Sequence, residues 1–405
     1  MLTMAQALEA LLAGARPITE TETVDTLQAN GRVLATPVTS ALRVPPADNT
    51  SMDGYAMRAA DVPAPGTRLP VSQRIPAGHV GTELAPGTAA RIFTGGLIPP
   101  GADAVVMQEQ CQADGDAVIV NHVPASGEWI RRAGEDIEAG SQILPAGARL
   151  SPQALGLAAS VGQARLDVIR RVRVAVFFTG DELAMPGEPL KPGAIYNSNR
   201  FTLRGLLENL GCEVSDFGIV PDTLAATRDT LRRAAAGHDL IITSGGVSVG
   251  DADYTKQIMD KLGEVTFWKI AMRPGRPMAF GRISSNGHDA VLFGLPGNPV
   301  AVMVTFYHFV RGALHRLMGA DVAPLPHIRV RTTTPIRKKP GRTEFQRGIV
   351  AAGPDGDLQV RLTGEQGSGV LRSMSEANCF VVLDHDQGPV AAGDTVQIVL
   401  FDGLI

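Results

Sequence analysis

Residues 239–256, DLIITSGGVSVGDADYTK, run an apolar strand into a Gly/Ser loop that carries two acids and opens a helix. Such a loop suits an anion. Gly245, Gly246 and Gly250 let backbone N–H groups approach a phosphate with no Cβ in the way, and a helix starting near Asp253 adds the positive end of its dipole. Asp251 and Asp253 point to a metal. Two carboxylates about 4 Å apart repel by roughly 4 kcal/mol at an effective dielectric of 20, so a cation between them or a shared proton normally holds them together. The same residues also fit a plain glycine turn with Asp253 as helix cap.

The elements around this loop favour the site. From Arg171 to Gly319 short β-branched runs alternate with amphipathic helices: RVAVFFTGDEL, FTLRGLLENL, CEVSDFGIVPD, LAATRDTLRRAAA, DLIITSGG, YTKQIMDKL, EVTFWKIAMRPG and AVLFGLPGNP, leading into VAVMVTFYHFVRGALHRL. The alternation predicts a parallel sheet wrapped on both faces by helices, with Gly211 and Gly263 as helix-ending glycines. Ligands of such sheets bind at the carboxyl ends of the strands. The five predicted strands end in Thr179–Glu182, Pro221-Asp222, Ser244–Asp253, Lys269–Arg276 and Pro296–Pro299. That edge collects acids (Glu182, Asp222, Asp251, Asp253) and fixed cations (Lys269, Arg273, Arg276), a set suited to metal-assisted chemistry on a phosphate ester. Two nucleotide signatures fail. The first strand turns through TGDEL rather than GxGxxG, and Asp251 stands where a P-loop needs lysine.

Composition bounds the class. A chain of 405 residues, 44% hydrophobic, with formal charge −4, is long enough for two to four domains and carries no global charge that favours nucleic acid. The start, MLTMAQALEALLAGARP, is a short amphipathic helix without a basic lead or an unbroken apolar run, unlike a signal peptide. No apolar run reaches the roughly 20 residues of a membrane span. Cys111, Cys212 and Cys379 are far apart, which fits a reducing cytoplasm and excludes thiolate-ligated zinc or iron–sulfur sites by spacing. His308 and His315, seven apart on the last helix, read as one half-exposed face. The run HIRVRTTTPIRKKPGRTEFQR holds seven Arg and Lys, yet Phe345 is its one aromatic; it reads as a solvated strand face or one turned toward an anionic substrate.

Outside the α/β unit the pattern changes. Residues 41–150 are rich in Gly and Pro, with strand-like runs RLPVSQRI, AARIFTG, DAVVMQEQ and DAVIVNHV, and predict a mainly β module. Within it PPADNTSMDGYAMR reads as an Asx-type turn bent at Asp53-Gly54, and RRAGED (131–136) as a solvated hairpin. Ser151-Pro152 marks a helix start, and APLP (323–326) a boundary. Beyond it HIRVRTT, LQVRLTG, CFVVLDH and TVQIVLF predict a small C-terminal β-barrel or sandwich.

Seven blocks, MDGYA, RIFTGGLIPPGADAVVMQE, RRAGEDI, FFTGDEL, SGGVSVGDADYTK, RPGRPMAFG and FGLPGNPV, stand in the order found in the molybdopterin molybdenumtransferases, the MoeA type and the gephyrin E-domain, and the likeness covers nearly the whole chain. The resemblance implies a cytoplasmic homodimer of four-domain protomers: 1–40 with 141–170 as a discontinuous linker and dimer domain, 41–140 as an inserted mainly β domain, 171–322 as a doubly wound parallel-sheet molybdopterin-binding domain and 323–405 as a β-barrel-like C-terminal domain. It implies a transferase that takes adenylylated molybdopterin and molybdate, joins molybdenum to the dithiolene sulfurs and releases AMP with Mg2+ as the usual cation. The active site then lies where the α/β domain faces the β module of a second subunit.

Residue by residue, Ser248, Asp251 and Asp253 resemble the pterin-phosphate and metal group, and Glu182 and Asp222 the acids lining that pocket; Asp53, Thr94 and Asp136 match the second subunit's contribution. For molybdate the candidates are Arg273, Arg276, Pro296, Pro299, Arg347 and Ser368, since a tetrahedral dianion needs fixed charge and N–H donors. Two departures stand out: many members have KPGKP where Arg273 and Arg276 stand, and serine where Ala301 stands. Rival readings are a molybdopterin adenylyltransferase, which has a similar glycine loop but only a short α/β domain, and a molybdopterin-binding scaffold without activity. The partners implied are the adenylyltransferase that supplies the pterin and the recipient molybdoenzymes, with neither nucleic acid nor membrane.

Overall fold

The computed structural model describes residues 1–245, 263–321 and 324–401, with the backbone alone at Phe267. Gly246, Ser248, Gly250, Asp251, Asp253 and the predicted helix YTKQIMDKL lie outside the described residues.

The central sheet has six strands in the order Glu213–Val220, Arg173–Thr179, Leu240–Ser244, His288–Leu295, Pro277–Ser285, Gly263–Lys269. The first four are parallel, and the last two each run antiparallel to their neighbour. The sheet is therefore mixed rather than wholly parallel, because the sequence reading missed Pro277–Ser285. Two reversals restore direction, so Gly263–Lys269 still runs with the parallel four. All five predicted carboxyl ends reach one edge. Gly263 corrects another expectation: it is a strand residue, and a Cβ there would sit 1.9 Å from the Arg282 carbonyl oxygen. Gly211, with φ 82°, does follow the end of the helix Ser198–Asn209.

Both faces of this sheet are buried, which is why its strands read as continuous apolar runs. Val174, Val176, Phe178, Ile242 and Phe293 face a core shared with the helices Ser198–Asn209, Pro299–Thr305 and Arg311–Leu317, and with Ala7 and Leu11 of the first helix, Met4–Gly14. Ala175, Phe177, Ile241 and Leu292 alternate to the other face, against Leu231, Ala234 and Ala235 of the helix Leu224–Ala235. His308 and His315, expected on a half-exposed face, turn inward instead: His315 is buried and His308 stacks on Phe345 with ring centroids 3.9 Å apart.

After the first helix the chain runs out to a small unit of its own. Thr21–Asp25 pairs antiparallel with Arg165–Ile169, and Val38–Thr39 with Gln142–Leu144, around a core of Leu34, Val38, Leu150, Leu166 and Val168. Between these segments lies a curled six-stranded sheet in the order Ala104–Met107, Gly54–Met57, Ala89–Ile92, Thr67–Ile75, Ala117–Val120, Cys111–Asp114. Gly54 was expected in a bend but opens a strand flanked on both sides; a Cβ at Gly54 would lie 2.0 Å from the Val106 carbonyl oxygen.

The C-terminal strands Ile328–Thr332, Thr343–Ala352, Leu358–Leu362, Cys379–Leu383 and Thr395–Leu400 close on themselves, because Thr343–Ala352 pairs with both Leu358–Leu362 and Cys379–Leu383. The result is a five-stranded barrel. It joins the α/β unit through a parallel pairing of Met272 and Arg273 with Thr343 and Glu344.

Where the linker unit meets the central sheet, the Arg170 guanidinium forks onto Asp239 at 2.7 and 2.8 Å, and the Arg173 N–H donates to the same carboxylate at 2.8 Å. Burial alone would raise the Asp239 carboxyl; the Arg170 fork, the Arg173 N–H and the nearby His288 outweigh it and hold the group below its usual range. A depressed folded-state value means the pair's contribution is present above the unfolded carboxyl's pKa and is lost as pH falls through the folded one. Asp239→Asn should therefore cost about 3 kcal/mol at neutral pH, because it removes the buried fork and leaves the Arg170 guanidinium only the exposed Glu20 carboxylate. The gap between denaturant titrations of wild type and variant should start to narrow below about pH 4 and close only below the folded carboxyl's depressed pKa; a constant gap down to about pH 3 would contradict the assignment.

Candidate active site at the carboxyl edge of the central sheet

The edge is built from backbone contacts first. Phe178 pairs with Ser244 in register, and beyond them Gly245 adopts φ 100°. A Cβ at Gly245 would lie 2.3 Å from the Thr179 carbonyl oxygen, so both conformation and space demand glycine. The Gly245 N–H donates to the Leu295 carbonyl at 3.3 Å, which draws the next strand end into the same place.

Asn199, at the start of the helix Ser198–Asn209, stitches these ends together. Its Nδ2 donates to Ser244 Oγ at 3.0 Å and to the Gly297 carbonyl at 2.7 Å, while Ser244 Oγ donates to the Pro296 carbonyl at 3.1 Å. Asn298 Nδ2 then donates to Ser368 Oγ at 3.1 Å, and the Val300 N–H to the Ser368 carbonyl at 3.1 Å. The Pro296–Pro299 turn and Ser368 thus meet, as the sequence reading grouped them. Asn199 was missed, because the sequence reading took the helix only through FTLRGLLENL; it begins at Ser198, with Asn197 as its cap. Several buried polar atoms here, Thr179 Oγ1, Thr243 Oγ1, Asn197 Nδ2 and Asn199 Oδ1, have no partner among the described residues.

Glu182 and Asp222 both stand exposed, just beyond the paired strand ends Thr179 and Val220. Hard carboxylate oxygens open to water suit Mg2+, which keeps several waters and takes one or two protein carboxylates. Among the described residues there is no cluster of three or more His, Cys, Asp or Glu able to enclose a metal, so any cation held here rests on few protein ligands.

The cationic side is divided. Arg273, Arg337, Gln346, Arg347 and Gln366 line a cleft of about 560 Å³ against the barrel. Arg347 is 1% exposed; its guanidinium donates to Ser373 Oγ at 2.9 Å and to the Gly367 carbonyl at 3.0 Å, and it has no ion pair among the described residues. Burial, with the charge of Arg273 beside it, pushes its pKa down to about 10, still protonated at neutral pH. Glu344 takes Arg342 at 3.2 Å and the exposed Arg273 at 4.0 Å. Arg276 lines a separate cleft of about 260 Å³ with Lys339 and Arg342, so the structure does not bring it beside Arg347 in one pocket. Lys269 is exposed at its strand end. The basic run 329–347 is broken up: Arg337 faces the first cleft, Lys339 and Arg342 the second, and Lys338 is buried on three backbone carbonyls.

In the β module Asp53 and Thr94 form a unit. Asp53 Oδ1 accepts the Thr94 N–H at 2.7 Å and its hydroxyl at 2.8 Å, and these bonds hold the carboxyl below its usual range. Asp136 is exposed in its loop. Among the described residues no hydrogen bond or ion pair joins these three to Glu182, Asp222 or the strand ends within one chain.

Three family models together cover most of the chain: a MoeA N-terminal region (domain I and II) over residues 2–162, a probable molybdopterin binding domain over 175–316, and a MoeA C-terminal region (domain IV) over 329–401. A molybdopterin molybdenumtransferase of Haemophilus influenzae is 42% identical over the full length of both chains. One from a Nostoc species is 38% identical, over 94% of this chain and 88% of the relative. The molybdopterin biosynthesis moeA protein of Pyrococcus horikoshii superposes with a TM-score of 0.84 at 30% identity, covering 99% of this chain and all of the other.

Gly245→Ala tests whether the backbone approach controls the edge. The substitution should lower stability by at least ~2 kcal/mol, since it combines a left-handed residue with a clash against a carbonyl. A melting temperature equal to wild type would show that Thr179 and Gly245 can separate freely.

Proposed function

The chain belongs to the MoeA-type molybdopterin molybdenumtransferase family, and from that premise we propose how its residues carry out molybdenum insertion. The protein is a transferase of molybdenum cofactor biosynthesis. The observation that carries the reading is the junction of Ser244, the Pro296–Pro299 turn and Ser368, which sets a pterin-binding strand edge beside the Arg273 and Arg347 cleft.

Adenylylated molybdopterin docks on the strand edge, its phosphate toward the glycine loop, and molybdate enters the cleft. Arg347 suits that dianion: it is charged at neutral pH, it has no carboxylate partner among the described residues, and it is held by neutral acceptors that leave its charge unspent. Arg273, half shared with Glu344, brings a second charge from the sheet side. Glu182 and Asp222 would hold Mg2+, which supplies charge neutralisation at the phosphate when bound. Water adds across the phosphoanhydride bond, so that AMP leaves and molybdopterin keeps its own phosphate, and the two dithiolene thiols replace one oxo group of molybdate, which departs with their protons as water.

Asp53, Thr94 and Asp136 serve this centre from a second copy of the chain, since one protomer leaves them unconnected to the strand edge. The free thiols Cys212 and Cys379, buried and pushed up to about 12, fit a reducing cytoplasm. Among the described residues no helix is long and apolar enough to cross a membrane.

Two measurements test this. Purified protein with adenylylated molybdopterin and Mg2+ should release AMP faster when molybdate is added, and the product should reconstitute an apo-molybdoenzyme. Net adenylylation would favour the adenylyltransferase reading, and binding without release the scaffold. Asp53→Ala and Glu182→Ala should each be inactive alone, yet a refolded mixture should regain about a quarter of wild-type activity, because half of the dimers carry one intact site of two. An inactive mixture of folded dimers would place both residues in one chain's site.

A further inference from the structure

Arg91 lies directly opposite Tyr55 in the antiparallel pair of Ala89–Ile92 with Gly54–Met57. Its NH1 donates to the Gly54 carbonyl at 2.8 Å and, more weakly, to the Ile92 carbonyl at 3.3 Å, while NH2 donates to Gln108 Oε1 at 2.6 Å. The Gln108 N–H in turn donates to the Asp53 carbonyl at 3.0 Å. The guanidinium also stacks between two rings, 5.1 Å from Tyr55 and 4.5 Å from Phe93. No ion pair is recorded for it among the described residues.

Each contact falls beside a site residue. Gly54 follows Asp53, Ile92 and Phe93 lead into Thr94, and Gln108 holds the Asp53 backbone. We propose that Arg91 is a positioning residue of the insertion site, a fork that fixes the strand exits bearing Asp53 and Thr94 and so aims the Asp53 carboxylate at substrate. The inference rests on the reading that Asp53 and Thr94 serve the reaction. A surface arginine serving solubility would pair with an acid. This one spends its donors on the three backbone and amide acceptors that frame a single carboxylate. Oδ1 of that carboxylate is taken by Thr94, which leaves Oδ2 to present.

Charge adds a second route. The charged groups around Asp53 are Arg91 on the neighbouring strand, Arg74 over the Phe93 ring at 4.8 Å, and Glu109, which accepts from the Gln108 amide at 3.4 Å. Beyond the two Thr94 bonds, the Arg91 charge helps to hold Asp53 ionised.

The experiment compares Arg91→Lys and Arg91→Gln in the full-length protein, with molybdate-dependent AMP release as readout and melting temperature as a check on folding. Lysine keeps the charge and loses the fork; glutamine keeps one donor and loses the charge. Both should lower kcat by about 10- to 100-fold, with KM for molybdate unchanged because the oxoanion cleft lies elsewhere. The acid limb of the kcat/KM profile should move to higher pH in R91Q, where the carboxylate protonates more easily, and stay in place in R91K. R91Q combined with Asp53→Asn should be no worse than D53N alone. If D53N is inactive while folded R91Q keeps wild-type kcat and acid limb, Arg91 is a structural staple only and the proposal fails. If D53N itself keeps wild-type activity, the role of Asp53 falls first and the proposal with it.

Discussion

No side chain fits between Gly245 and the Thr179 carbonyl, and the candidate site depends on that contact. Backbone pressed against backbone places the end of Leu240–Ser244 within reach of its neighbours, and only then can a single amide, Asn199, span Ser244 and Gly297. The β module repeats the arrangement. Gly54 presses against the Val106 carbonyl one residue after Asp53, as Gly245 does one residue after Ser244. Functional side chains in this protein are aimed by strand exits whose spacing is set without side chains. A glycine so placed trades chain entropy for position, and the neighbouring hydrogen bonds make the position unique.

The same economy explains why a separate barrel can complete the site. Its attachment is not a flexible tether: Met272 and Arg273 extend its edge, the Val300 N–H binds the Ser368 carbonyl, and Phe345, Phe380 and Val382 share the main core with Tyr307. His308 stacks on Phe345 within this junction, and burial pushes it down to about 3, so it is neutral wherever the protein is folded near neutral pH. A packed joint, with the Arg273–Glu344 pair at its margin, lets the Arg347 cleft keep a fixed distance from the strand edge. Preorganised charge of this kind is what a reaction between two anions needs, since electrostatic stabilisation is largest when the donors need not reorganise.

The strand ends were legible because the central sheet is buried on both faces and its strands run apolar into polar loops. Its mixed character was legible only in part. Pro277–Ser285 follows a loop of prolines and glycine, and its apolar residues merge with that loop. The signal that marks it is Asn286-Gly287, both left-handed at φ 53° and 77°, the pair a two-residue hairpin requires. The strand Thr343–Ala352 was hidden in the same way, inside a run read for its charge. Asp53 and Thr94 were recognised by family likeness and not by spacing; 41 residues separate them, and nothing local reveals that one carboxylate oxygen takes both Thr94 donors. Arg91, although it opens the RIFTGGLIPPGADAVVMQE block, and Asn199, at the helix start, gave no sign of what they hold, because each donates largely to backbone carbonyls, which every residue has.

The two departures from the family pattern have different physical weights. Arg273 keeps the charge of the lysine it replaces but its planar fork already leans toward Glu344 at 4.0 Å, a carboxylate that also binds Arg342. Part of its field is therefore spent inside the protein. Ala301 is 2% exposed and stands two residues past the turn, packed in the first turn of its helix, where its carbonyl accepts the Thr305 hydroxyl at 2.7 Å. A serine hydroxyl at that place would need a partner of its own in a region whose nearest neighbours include the Gly275 backbone. Alanine removes that demand, and with it one donor near the turn.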